Sequence, residues 1–136
     1  MIILKGKYNE AKVMLSHFDS AVKKAPHFQG TVYRGANIRN ATLPQPGDVQ
    51  TWKAYSSASK SLDVADDFAR DMLKNKNFDM PVLYEMRTKN GIDIHKVVSY
   101  PFNMEEEIVI RANTKWKVVQ TTLREDEIFH IILEQI

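Results

Sequence analysis

The sequence predicts an α+β fold whose sheet is mainly antiparallel. Two segments with helical hydrophobic spacing come early, one at about 8–25 and one beginning near Ser61. Every segment after Asn75 alternates with period two, and these strands follow one another with no helix between them. At 136 residues, the chain fits one compact domain, 1–136, and no repeat, low-complexity tract or linker divides it.

In the first helical segment, Ala11, Met14, Leu15, Phe18, Val22 and Ala25 recur at helical spacing, and Pro26 ends the period. Gly30 to Gly35 then reads as a short strand bracketed by glycines, and Asn37 to Gly47 has the composition of a loop. Val49 to Ser57 reads as a strand, with Trp52 and Tyr55 suited to a half-buried pleated surface. The second helix carries the apolar stripe Ala65, Phe68, Ala69, Met72 and Leu73, with Ser61 as its N-cap and Asp63 in its first turn. Five strands are expected beyond it, at 82–87, 92–98, 107–111, 115–121 and 128–134. Lys89-Asn90-Gly91 and Ala112-Asn113-Thr114 are the expected turns.

Composition excludes several classes. Nineteen basic and seventeen acidic residues leave a net charge of +2, no footprint for nucleic acid or an anionic membrane. With no cysteine there is no disulfide, thiolate metal site or cysteine nucleophile. No apolar run approaches the ~18 residues of a membrane span, and the N-terminal residues lack the core of a classical signal peptide. The four histidines are scattered, so no metal is expected, and His130 reads as a structural residue of its strand. No Walker A loop, GxGxxG or GxSxG pattern occurs.

Three places carry chemistry. Arg34, in Val32-Tyr33-Arg34-Gly35, reads by itself as a surface arginine at a strand end; its functional reading is phosphate capture, with Gly35 admitting a ligand close to the backbone. Ser57, in Tyr55-Ser56-Ser57-Ala58-Ser59, reads by itself as a turn or cap former. Glu105-Glu106-Glu107 alone is a solvated turn, yet it leads straight into the apolar Ile108-Val109-Ile110. If already extended there, Glu105 and Glu107 share a face roughly 6–7 Å apart. Two carboxylates so placed repel each other and attract a cation, for which an arginine side chain is well shaped.

Taken in order, Tyr33-Arg34-Gly35, Ser57-Ala58-Ser59 after Tyr55, and Glu105-Glu106-Glu107 before an apolar strand resemble the Arg-Ser-Glu, cholera-toxin-like class of arginine-specific mono-ADP-ribosyltransferases. The resemblance spans about residues 20 to 121 and departs from the family pattern at Ala58, where threonine is usual. It implies the ADP-ribosyltransferase fold, a split β-sandwich of two mainly antiparallel sheets with flanking helices, holding NAD as co-substrate and no metal. By position, Arg34 would bind the phosphate or ribose region, Gly35 backbone groups the nicotinamide amide, and Tyr55 would line the cofactor site. Ser57 would orient Glu107, the catalytic glutamate, which binds the nicotinamide ribose hydroxyls as the glycosidic bond breaks. A fixed carboxylate there stabilises the positive charge developing on the sugar. Phe68 falls on the helical stripe, so core packing is its ordinary role, and it also matches a family phenylalanine that stacks on nicotinamide.

In the family it resembles, a glutamate two residues before the catalytic one accompanies arginine modification, so by resemblance Glu105 implies an arginine acceptor; a carboxylate there can hold a guanidinium and help remove its proton. Tyr100 and Phe102 would contact the target protein. The partners implied are a target protein bearing that arginine and, for a toxin, a cognate immunity protein, with the chain itself a monomer and neither nucleic acid nor membrane involved. The implied location is a target-cell cytosol after secretion or delivery, or a host cytoplasm for a phage enzyme. Rival readings are a NAD glycohydrolase using the same residues, a catalytically silent interaction domain, and a nucleic-acid-modifying enzyme of the same fold. The last is the least supported at a net charge of +2.

Overall fold

The computed structural model describes residues 26–39, 43–73, 79–93 and 107–136. The helix expected over 8–25, most of the strand expected at 92–98, and Tyr100, Phe102 and Glu105 lie outside these residues. The elements are β1 (His27–Arg39), β2 (Val49–Trp52), β3 (Ser56–Ser59), α1 (Leu62–Leu73), β4 (Asp79–Asp93), β5 (Glu107–Ile110), β6 (Thr114–Leu123) and β7 (Phe129–Gln135).

The mainly antiparallel α+β architecture is as expected, and its hydrogen bonding runs continuously through seven strands in the order β1-β3-β5-β4-β7-β6-β2. Strand β1 also pairs with β4, so β1, β3, β5 and β4 close into a ring from which β7, β6 and β2 extend. The single parallel pair among the described strands is β4–β7. Alternation along these strands buries Val32, Met86, Ile108, Trp116, Val118 and Leu133 in one core. The Trp116 indole N–H donates to Thr114 Oγ1 at 2.9 Å, which leaves that buried ring with no unsatisfied polar atom. A smaller cluster of Ala65, Ala69, Leu83 and Ile128 lies where α1 covers the other face of the ring.

Three boundaries differ from the sequence expectation, each because a distant partner outweighs local composition. Strand β1 continues through Asn37 to Arg39, within the expected loop, because these residues pair with Asp79 to Pro81 of β4. Strand β4 runs through Lys89-Asn90-Gly91, the expected turn. At Gly91 a Cβ would lie 2.6 Å from Ile108 Cγ2, so the glycine serves close strand packing there and not a reversal. The expected strand over 49–57 is two strands with different neighbours: β2 pairs β6, whereas β3 pairs β5. The turn before β6 is present, with Asn113 at φ 59°.

Helix α1 begins as its capping residues predict. The Val64 backbone N–H donates to Ser61 Oγ at 3.4 Å, and Asp63 occupies the first turn. Its buried stripe is narrower than expected. Ala65 and Ala69 are buried, but Phe68 is 54% exposed, so of its two sequence readings core packing does not hold. The cause is β1: Gly35 has no side chain, and α1 lies so close that only alanines fit between helix and sheet.

Candidate active site

Strand register brings the motifs together. Tyr33 lies opposite Ser59, and Ser59 lies opposite Glu107, so these three side chains share one face of adjacent strands. Pleating adds Gly35 and Ser57 to the same face, two residues from Tyr33 and Ser59 respectively. Helix α1 packs against that face at Gly35, where a Cβ would fall 2.5 Å from the Ala65 carbonyl oxygen and 3.1 Å from Phe68 Cβ. The exposed Phe68 ring is therefore borne beside Gly35, on the face that presents the serines and Glu107. Among the described residues the half-buried Glu107 carboxylate has no hydrogen-bond or ion-pair partner.

The register refines the serine motif. Ser59, not Ser57, is directly across from Glu107, while Ser57 faces Val109. Ser57 is thus a diagonal neighbour of Glu107 on the shared face. The Ser59 hydroxyl oxygen accepts the Ser61 backbone N–H at 3.0 Å, which leaves its own proton to be donated elsewhere. Ala58, on the opposite face, is buried in the core, so the departure from threonine removes a side chain directed away from Glu107.

Arg34 is not a surface residue. It points to the inner face of β1, across from Tyr84, and its Nη1 donates to the Ser57 carbonyl oxygen at 2.6 Å. The reason lies in the split between strands: β1 and β3 share one registered pair, Tyr33 with Ser59, and diverge beyond it. The Ser57 carbonyl there is hydrogen-bonded by the guanidinium. The arginine and serine motifs, 23 residues apart, are joined by that bond. Burial lowers the Arg34 pKa, an effect partly opposed by Tyr84, and burial raises that of the Tyr84 phenol. Tyr55 is half-buried immediately before β3.

Two features had no signal in the sequence. Lys60, next to Ser59, pairs with the buried Asp93 at 3.2 Å and lies 5.0 Å from the Phe28 ring centroid, which ties β3 to the end of β4. Arg70 of α1 is held by Asp66 at 3.1 Å and by Asp126 at 3.7 Å. Lys60–Asp93 and Arg70–Asp126 join residues distant in the chain, which no local pattern could reveal, whereas Asp66–Arg70 has the spacing of one helical turn. Among the described residues no group of histidine and carboxylate side chains is arranged to hold a metal ion.

A strand-borne glutamate beside hydroxyls, an exposed phenylalanine and an arginine-braced strand split thus lie in one region of the fold. Comparison with known proteins shows the family. The family model described as NAD:arginine ADP-ribosyltransferase matches residues 9–136, and the chain belongs to that family. It is 32% identical over 105 residues to a putative NAD(+)–arginine ADP-ribosyltransferase of Mycobacterium avium, which covers 76% of this chain but 12% of that protein. The chain therefore spans about an eighth of the length of this curated relative. Among solved structures it is similar to ADP-ribosyltransferase Vis in complex with agmatine, at TM-score 0.76 and 25% identity over 94% of this chain and 59% of that one. Exoenzyme S from Pseudomonas aeruginosa, solved with a human 14-3-3 protein and carba-NAD, shares the fold at TM-score 0.64 and 17% identity, over 96% of this chain and 60% of that one.

Proposed function

We propose that the chain transfers ADP-ribose from NAD to an arginine side chain of a target protein. The bond between nicotinamide and C1 of its ribose breaks, nicotinamide leaves with the bonding pair, and a guanidinium nitrogen bonds to that carbon as it loses a proton. The observation that carries the reading is the register Tyr33–Ser59–Glu107, which sets a carboxylate among hydroxyls on the face beside Phe68. Glu107 would hold the ribose hydroxyls and offset the charge that develops on the sugar. The serines would orient that carboxylate, and Phe68 would offer its exposed ring to nicotinamide. Arg34 would act first by fixing the split between β1 and β3, and through its remaining donors on a phosphate or ribose. Glu105 would receive the acceptor guanidinium, with Tyr100 and Phe102 contacting the target. Similarity to a neighbour solved with agmatine, an arginine mimic, supports that acceptor.

The whole chain, 1–136, would act as one monomeric catalytic domain with NAD as substrate and no metal. Its structural neighbours include a toxin from Vibrio splendidus and a type III effector from Xanthomonas axonopodis. They support delivery into a target cell, where a toxin of this kind would be matched by an immunity protein in its producer. The test is labelled NAD with a cell lysate, and separately with agmatine, using wild type, Glu105→Gln and Glu107→Ala. Label on protein arginine with wild type alone is the expected result. Nicotinamide release without labelled protein or agmatine would replace the transferase by a glycohydrolase, and no NAD consumption would leave a binding domain.

A further inference from the structure

Helix α1 carries Phe68. Among the described side chains, those it buries against the sheet are Ala65 and Ala69, which contribute little apolar area. An ionic circuit adds a lateral hold. Arg124 Nη1 meets Asp66 Oδ1 at 2.6 Å and Arg124 Nη2 meets Asp126 Oδ2 at 2.7 Å. Arg70 closes the circuit through Nε to Asp66 Oδ2 at 3.1 Å and Nη2 to Asp126 Oδ2 at 3.7 Å. Each aspartate thus lies between two arginines.

The location separates this circuit from ordinary surface pairs. Asp66 and Arg124 are sheltered, with side chains 18% and 27% exposed. Hydrogen bonding between them lowers the Asp66 pKa and raises that of Arg124. Arg124 and Asp126 belong to the tight connection from β6 to β7, where Glu127 takes φ 69° and the Arg124 backbone N–H donates to the Ile128 carbonyl at 3.0 Å. Ile128 is itself buried beneath α1. The connection is therefore rigid, and Asp66 and Arg70 straddle Phe68 in sequence, one helical turn apart.

We infer that Arg124 is a positioning residue for NAD: by holding Asp66 it fixes the seat and rotation of α1, and so the place of the Phe68 ring at the cleft. The inference rests on the NAD reading above and adds a residue, beyond the motif positions, that sets substrate affinity. A network of several charges in good geometry can have such an effect where an isolated exposed pair does not. Because the circuit acts through Phe68, its loss registers in the KM for NAD and not in the chemical step.

The experiment is a double-mutant cycle on nicotinamide release with NAD varied, using wild type, Arg124→Gln, Phe68→Leu and the double variant, with Tm recorded for each. Arg124→Gln is expected to raise KM about fivefold or more with kcat within about twofold, and to add nothing in the Phe68→Leu background. Arg124→Lys, which cannot span both aspartates, restores KM only in part. Asp126→Asn keeps the Arg124–Asp66 contact and serves as the milder variant, moving KM in the same direction. A fall in Tm with KM unchanged, or a KM rise that persists in full without Phe68, overturns the inference. Absence of NAD turnover by the wild type would overturn the functional reading and this one together, whereas turnover with an additive cycle overturns this one alone.

Discussion

Replacing Gly35 by alanine would put a methyl group 2.5 Å from the Ala65 carbonyl oxygen and 2.9 Å from the Ala69 backbone nitrogen. The first distance is close to 0.9 Å short of the 3.4 Å at which ordinary contact begins. Both obstructions are helix backbone, so no side-chain rotation relieves them and α1 must lift from β1. Overpacking of this kind costs roughly 1–3 kcal/mol. The alanine also restrains the unfolded chain, which returns roughly 0.4–1 kcal/mol. The net loss is about 1–2 kcal/mol, and at about 3–4 °C per kcal/mol for a domain of this size Tm falls by about 3–8 °C. Because the displaced helix carries Phe68, kcat/KM for NAD should fall further, by about 10- to 100-fold for a shift near 1 Å. Thermal unfolding and nicotinamide release measure the two effects. Gly47→Ala is the control: φ there is 95° but nothing lies within 4 Å, so it should lower Tm through backbone strain and leave NAD kinetics alone. A Gly35→Ala protein with unchanged or higher Tm and normal turnover would refute the close helix–strand contact and the link from it to the site.

Glu107→Gln keeps the size of a half-buried side chain but removes its charge. The nicotinamide release rate should fall about 100- to 1,000-fold with Tm within a degree or two, as kinetics beside a thermal melt would show. Arg34→Ala leaves the Ser57 carbonyl without its guanidinium donor and should cost about 1–3 kcal/mol in denaturant unfolding. Arg34→Lys should recover most of that stability while NAD affinity stays impaired, which would separate bracing from ligand contact. The Asp66 pKa is lowered in the folded state, so its contribution is present above the ordinary carboxylate range and is lost as pH falls from about 4 through the folded value. Denaturation midpoints between pH 6 and 3 should show that loss, and Asp66→Asn should reduce it. Tyr84 has the opposite sign: its raised pKa keeps the phenol protonated in the fold, so stability declines as pH climbs above 10, and Tyr84→Phe should soften that decline.

Much of the fold was legible because it is written in local periods. The alternation around Thr114 to Val118 and Phe129 to Leu133, the Ser61 cap and the Asn113 turn each depend on residues a few positions apart. The motif residues were legible for the same reason, since Tyr33-Arg34-Gly35, Ser57-Ala58-Ser59 and the glutamate run are short and ordered. What they do to one another was not. Asn37 to Arg39 and Lys89 to Gly91 have turn composition, and both became strand because long-range pairing between β1 and β4, or close packing on Ile108, outweighs local preference.

The sequence by itself determined an α+β domain with a mainly antiparallel sheet, the absence of cysteine chemistry, and three motif positions in order. Tertiary structure decided that Ser59 opposes Glu107, that Arg34 spans the split to the Ser57 carbonyl, and that Phe68 faces outward. It also decided that Arg70 reaches Asp126. The physical reason is the same in each case. Periodicity fixes which face a side chain takes within its own element, but which element lies against that face depends on strand register and helix approach, and those are set by residues 20 to 60 positions away.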